Sequence, residues 1–286
     1  MGGSAATGLR DGLTDVDASA RAVRLLELHQ PGAPLLAPNP WDIGSAKLLE
    51  SLGFEALCTT SSGAAAALGG LDGSMGRDAA IASAGAIANA VTVPVSADLE
   101  NGFGDDPADT AETTRLAMAA GLAGGSIEDY TLRADDPVYA IEQAAERVRA
   151  AAEVAHPDGM QFVLTARAEN HLRGRDDLAD TIARLQAYQE AGADVLYAPG
   201  LSDIRAITSL VQSVDRPVNV IVRPGGPTVA DLAAAGVARI SVGGSLAWVA
   251  VAAVAEAARE LREDGTVGFL DRAVEGGQIA RRAYGG

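Results

Sequence analysis

The chain has 286 residues, 48% of them hydrophobic, with a formal net charge of −16 and a single cysteine, enough to bury one large core without a second domain. The negative charge repels phosphate backbones and anionic lipid, which argues against nucleic-acid and membrane partners, yet a bound cation or a few focused arginines could still draw a small anion. One cysteine excludes an internal disulfide, no apolar run approaches the roughly 20 residues needed to cross a bilayer, and the chain opens without a basic-then-apolar leader, so a soluble, cytoplasmic protein is expected.

Residues 1–17 are rich in Gly, Ala, Ser, Thr and Asp without a period and read as a flexible N-terminal arm. A short amphipathic stretch, Ala18 to Leu28, comes next. From there brief apolar runs alternate with longer helical patterns. The predicted strands are Pro34 to Ala37, Glu55 to Thr59, Val93 to Asp98, Gly124 to Glu128, Phe162 to Arg167, Val195 to Ala198, Val218 to Val222 and Ala238 to Val242. Between and after them the pattern predicts helices over Ile43 to Ser51, Arg77 to Ala90, Pro107 to Ala120, Pro137 to Ala155, Asp176 to Ala191, Ser202 to Ser213, Thr228 to Ala235 and Leu246 to Arg262. Helices repeatedly end on a glycine just before the next strand, as at Gly53, Gly121, Gly192 and Gly236, because glycine tolerates the left-handed conformation that stops a helix.

This βα alternation indicates an α/β fold with a parallel sheet. Eight units favour closure into a (β/α)8 TIM barrel over residues 18–262, with a doubly wound open sheet as the rival. Residues 263–286 hold one further helix, Gly268 to Tyr284, a C-terminal extension beyond the complete barrel.

In such a barrel the C-terminal strand ends face the active site, so charged residues there carry the functional signal. The third strand runs into Asp98-Leu-Glu100 and a glycine turn. Period two puts Asp98 and Glu100 on one face, where paired like charges call for a cation unless they merely cap the following helix. Magnesium prefers few carboxylates and several waters. One unit later Ile127-Glu128-Asp129 repeats the pattern, making Glu128 a further metal-shell candidate and Asp129 equally an N-cap. The fifth strand ends on Arg167, which could fork onto a substrate carboxylate or pair with the nearby acids. After the second strand, Thr59-Thr-Ser-Ser-Gly63 offers small side chains and backbone N–H groups for an anionic oxygen, or is a plain βα loop. Asp72 beyond it is a turn residue or a water-mediated metal contact.

Taken in order, the Ser-Gly loop, Asp98-Leu-Glu100 before Gly-Phe-Gly104, Ile127-Glu128-Asp129 and Ala166-Arg167 resemble the isocitrate lyase/phosphoenolpyruvate mutase superfamily from about Leu35 to Ala255. The resemblance implies magnesium, or manganese in its place, held chiefly by Asp98 with Asp72, Glu100 and Glu128 contacting its waters. It implies substrate oxygens bound by Ser62, Gly63 and Arg167, with Asn219 as a late-strand contact and Thr60 where the mutase carries tryptophan. It also implies a homo-oligomer, a dimer or a tetramer with exchanged C-terminal helices. Members break or form C–C or P–C bonds beside a 2-oxo acid, with the cation and arginine steadying the charge of a pyruvate-like enolate.

The departures are specific. The lyases' Lys-Lys-Cys-Gly-His segment, whose cysteine donates a proton, is absent: the stretch after Asp129 reads Tyr130-Thr-Leu-Arg-Ala-Asp-Asp-Pro137, and a lid of different sequence is expected there. The phosphonate branch's Lys-and-Asn segment is missing as well. Cys58 falls within the second strand as a buried thiol. Tyr197 stands where lyases carry Glu and the mutase His, so a polar substrate contact is expected to be lost. Tyr130 and His171 are the alternative proton carriers, each with a packing or surface role as the competing reading, and His29 and His156 are expected at the surface.

The reading is a magnesium-dependent lyase that cleaves a C–C bond in a small 2-oxo or 2-hydroxy carboxylate, with Arg167, Glu128 and Tyr130 as catalytic candidates. P–C chemistry on a phosphonopyruvate-like substrate and a catalytically silent dicarboxylate-binding homologue are the alternatives.

Overall fold

A computed structural model describes residues 15–285; the arm expected over residues 1–17 therefore lies mostly outside the described residues, and Asp15 already opens a helix. In chain order the elements are α1 (Asp15–Glu27), β1 (Leu35–Ala37), α2 (Ile43–Ser51), β2 (Leu57–Cys58), α3 (Ser61–Ala67), α4 (Arg77–Ala90), β3 (Val95–Asp98), α5 (Pro107–Ala119), β4 (Gly124–Glu128), α6 (Ile141–Ala155), β5 (Val163–Arg167), α7 (Leu178–Glu190), β6 (Val195–Tyr197), α8 (Ile204–Gln212), β7 (Val218–Ile221), α9 (Val229–Ala234), β8 (Arg239–Ser241), α10 (Ser245–Arg259) and α11 (Leu270–Tyr284). All eight strands form one parallel sheet in the order β1-β8-β7-β6-β5-β4-β3-β2. The gap between its end strands is bridged by Cys58 N donating to Pro38 O at 3.1 Å. Asn39 braces the same seam: its Oδ1 accepts from the Val242 and Gly243 amides and its Nδ2 donates to Thr59 O. The sheet is a nearly closed (β/α)8 barrel.

Two packing layers hold it. The outer faces of the strands meet the helices through a core that includes Leu57, Leu99, Ile127, Leu164, Leu185, Leu196 and Ile207. Burying such side chains contributes about 1.5–3 kcal/mol each. At the N-terminal end α1 acts as a plug: Ala22 and Leu25 are fully buried against Ala123, Val163 and Val195. Gly124 makes that contact close, since a Cβ there would lie 2.7 Å from Val163 O and 3.0 Å from Leu25 Cδ2.

Three differences from the sequence reading concern the site. The Thr59–Gly63 segment is not a plain loop: Thr60 caps a seven-residue helix, α3. The segment after Asp129 is a short hairpin, bridged at Tyr130 and Val138 and tied through Arg133 to Asp105 at 3.0 Å. The helix predicted from Pro137 starts only at Ile141. At the far end, α10 buries only Ala247 and exposes Trp248, Val249, Val251 and Val254, while Tyr284 of α11 rests against Gly44 of α2.

Candidate active site at the mouth of the barrel

The C-terminal strand ends surround a polar cavity of about 280 Å³. Asp98 closes β3 and points into it. Its Oδ2 accepts from Ser61 N at 3.2 Å and Ser61 Oγ at 2.8 Å, and its Oδ1 accepts from Arg167 Nη1 at 3.0 Å. Ser61 Oγ also lies 2.8 Å from Asp72 Oδ1. A hydroxyl carries one proton, so it cannot satisfy both carboxylates at once. Glu100 lies close by in a left-handed backbone conformation, φ 48°, which side chains other than glycine adopt at a cost. Burial, then the Asp98 and Asp72 charges, push its carboxyl up to about 7. Neither Asp98 nor Glu100 caps the next helix, which opens on Asp106 and Pro107.

Arg167 is the hub on the opposite side. Its guanidinium meets Asp98, Glu128 Oε2 at 2.9 Å and Glu169 Oε1 at 2.6 Å, with Tyr197 beneath it, the ring centroid 5.2 Å away. Glu169 is fully buried and holds Arg173 as well, at 3.0 Å. Burial pushes Glu128 well above the usual carboxylate range despite Arg167, whereas the surrounding acids keep Arg167 firmly charged. Glu128 does not line the main cavity; Arg167 stands between it and Asp98. Asp129 is no N-cap: it is buried and accepts from Tyr188 Oη at 2.6 Å, Arg184 Nη1 at 3.0 Å and Glu169 N at 2.8 Å.

Thr60 and Ser62 line the cavity with their hydroxyls 3.1 Å apart. Gly63 packs where a Cβ would meet Thr60 Cγ2 at 2.8 Å and Trp41 Cβ at 2.9 Å, and its N–H is directed at the capping Thr60 Oγ1, 3.4 Å away. Asn219 lines the cavity too, but its amide already engages Arg239 and Ser241. Tyr130 lies outside the cavity lining, under the Arg173 guanidinium at 3.4 Å. His171 is also outside, bonded to Asp176 and Thr181 rather than exposed. His29 is not a surface residue, and His156 is half-buried. His29 is buried beside Arg239, and burial together with that cation lowers it to about 3. His156 lies 3.0 Å from Asp194, which raises it.

Several lining residues carry a sequence signal outside the motifs. Ser61 lies inside the Ser-Ser-Gly run. Ser96 precedes Asp98 by two residues, hence on the same strand face, and Arg239 opens β8 two residues before Ser241. Period-two counting inward from the strand ends would have found both.

Residues 25–262 match the family model for phosphoenolpyruvate phosphomutase. The chain belongs to the isocitrate lyase/phosphoenolpyruvate mutase superfamily. An uncharacterised member from Mycobacterium tuberculosis is 35% identical over 240 residues, covering 83% of this chain and 88% of that one. The 2-methylisocitrate lyase of Escherichia coli is 28% identical over 222 residues, covering 71% and 73%. A superfamily structure from Burkholderia cenocepacia, solved as a candidate lyase/mutase, superposes with a TM-score of 0.88 at 50% identity over 93% of this chain and 96% of that one.

Superfamily members are generally dependent on a divalent metal. Among the described residues no three His, Cys, Asp or Glu side chains form a ready-made cluster. A magnesium ion does not need one, since it keeps several waters and takes one or two carboxylates directly. The donors around Ser61 suit it: they are hard oxygens, they repel one another, and Glu100 is raised by burial and then by the Asp98 and Asp72 charges.

Proposed function

We propose that the chain is a magnesium-dependent lyase that cleaves a C–C bond in a small 2-oxo or 2-hydroxy carboxylate by way of a pyruvate-like enolate. The supporting observation is the juxtaposition of Asp98, bridged to Asp72 through Ser61, with the Arg167 guanidinium at the cavity wall. Asp98 would hold the ion, with Asp72 and Glu100 on its waters and Glu128 further out behind Arg167; manganese suits the same oxygens. When bound, the ion supplies positive charge for adjacent substrate oxygens.

This chain's own residues supply the rest. Arg167, fixed by Glu169, presents a permanent cation where negative charge grows. Ser62 and Thr60 line the wall beside it, with Gly63 packed behind them outside the cavity lining. Of the lining groups, Tyr197 and Cys58 keep their protons because burial disfavours their anions, so neither is a ready base and each would need help from its surroundings to act as an acid. Tyr197 is the better placed, lying directly under Arg167.

Oxalate mimics the pyruvate enolate. It should raise the melting temperature of the wild type only when magnesium is present, and not that of Asp98→Ala; stabilisation independent of magnesium would discard the lyase reading. Two observations keep alternatives in view. The family model that matches is that of phosphoenolpyruvate phosphomutase, so phosphorus NMR of phosphonopyruvate with the protein separates P–C from C–C cleavage. Neither Tyr130 nor His171 reaches the cavity, so a silent dicarboxylate-binding homologue is the outcome if no acid in a substrate panel turns over.

The setting completes the proposal. Among the described residues no helix is long and apolar enough to cross a membrane, and a cytoplasmic location is proposed. The exposed apolar face of α10 favours a homo-oligomer, a dimer or tetramer.

A further inference from the structure

The floor of the cavity holds a cation that the acidic cluster does not neutralise. Arg239, at the start of β8, is 3% exposed and lines the cavity with Cys58, Ser96, Ser126, Asn219 and Ser241. Its Nε donates to Asn219 Oδ1 at 2.9 Å, its Nη2 to Thr165 Oγ1 at 3.2 Å, and its Nη1 lies 3.3 Å from His29 Nε2. All three partners are neutral, His29 because it is held at about 3. Among the described residues Arg239 has no carboxylate partner, in contrast to Arg167, which has three. A guanidinium carries five N–H donors, so these contacts leave donors to spare.

That arrangement is costly for a purely structural role. Barrel interiors are ordinarily filled by branched apolar side chains, and a buried charge without a counter-charge is unfavourable unless something neutralises it. Here the surrounding layer consists of small polar residues that leave open space instead of filling it. The register ties the two cations together: Arg167 pairs with Tyr197, Tyr197 with Asn219 and Asn219 with Arg239 along consecutive strands. They stand at the two ends of one row, three strand spacings of about 4.8 Å apart around the barrel.

We propose that Arg239, with Asn219 and Ser241 beside it, forms a second anion subsite that takes the distal carboxylate of a dicarboxylate whose other end lies against Asp98 and Arg167. The proposal rests on the lyase reading for the identity of that other end. It narrows the substrate to acids carrying two carboxylates on a short chain. Arg223, exposed and lining the same cavity, adds positive charge that favours entry of such a dianion.

Calorimetric titration of the full chain in magnesium with succinate and glutarate, each against its monoamide, tests the subsite. The wild type should favour one diacid over its monoamide by about tenfold or more, the worth of one charge-assisted contact. Arg239→Gln should abolish that preference, Arg239→Lys should restore part of it, and the magnesium-dependent oxalate stabilisation should survive in both. If Arg239→Gln does not fold, Asn219→Asp sets a carboxylate against the guanidinium and should abolish the preference equally. No preference in the wild type, a preference retained in the folded variant, or equal protection by chloride at matched ionic strength overturns the subsite. Oxalate reports separately: its failure in the wild type removes the lyase reading, while the diacid comparison still reads Arg239.

Discussion

Arg167 Nη1 lies 3.0 Å from Asp98 Oδ1, joining the ends of β5 and β3 across the mouth of the barrel. The acid proposed to hold the metal and the cation proposed to meet the substrate thus neutralise each other before either meets a ligand. Replacing Asp98 by Ala should therefore do two things: remove magnesium-dependent oxalate stabilisation and loosen Arg167. Turnover should fall by about 10²–10³-fold, the scale of losing one preorganised electrostatic contact in a transition state. Steady-state kinetics with a substrate from the panel, alongside magnesium calorimetry, reads both effects.

Tyr197 is the second test. The phenol sits beneath Arg167 at the position where a polar contact was expected to be lost. Tyr197→Phe keeps the ring under the guanidinium and deletes only the hydroxyl. If that hydroxyl donates the proton, kcat should drop by about 10²-fold or more with KM little changed. A variant with wild-type kcat would return Tyr197 to a packing role.

How far the sequence led follows from which physical signals are local. Strand ends and glycine stops are local, and they placed Gly124–Glu128 as a strand and Ile43–Ser51 and Arg77–Ala90 as helices with the bounds the structure has. Asp98 and Arg167 were legible because a charge that ends a barrel strand must face the mouth. Tyr130 and His171 were not, because each follows a strand end by enough residues for the chain to turn away: Tyr130 under Arg173 and His171 onto Thr181. His29 and His156 looked like polar flanks, yet their partners, Arg239 and Asp194, are 210 and 38 residues distant. Nothing local announces such pairings.

Those two histidines make opposite predictions for pH. His156 is raised above its ordinary value by Asp194, so its pairing stabilises the fold fully below about 6.5, the unfolded value. That contribution disappears as pH rises through the folded value. His29 is lowered to about 3 by burial and by Arg239. Its neutral form stabilises the fold above about 6.5, and that contribution is lost as pH falls toward 3. In melting curves against pH, the deficit of His156→Gln should shrink from pH 6 to pH 9. Stability of the wild type relative to His29→Gln should decline from pH 7 to pH 4. Parallel curves would mean that neither histidine is coupled to folding as described.

Gly63→Ala probes the wall formed by α3. Its Cβ would come within 2.8 Å of Thr60 Cγ2 and 2.9 Å of Trp41 Cβ, and overpacking of this kind typically costs about 1–3 kcal/mol. Because Thr60 and Ser62 move with the same turn, oxalate affinity should fall together with stability in urea titrations. A variant as stable as wild type that binds oxalate normally would show that this turn yields without consequence.

The last expectation concerns α10. Val254 is 69% exposed and Val249 65% exposed on a helix that buries only Ala247 among the described residues. A groove beside it is walled by Trp41, Ala66, Ala67, Ala250, Val251 and Ala255. Contiguous apolar surface of this kind on a chain of net charge −16 is poorly suited to water and well suited to a self-complementary contact, in which the same face of a second copy covers it. Light scattering should give a dimer or tetramer for the wild type. Val254→Asp, which sets a charge in the middle of the face, should shift the population toward monomer at micromolar concentration. Because α3 shares the groove through Ala66 and Ala67 and the site through Ser61 and Ser62, the monomer should also bind oxalate more weakly, and a monomeric wild type would disconnect assembly from the site.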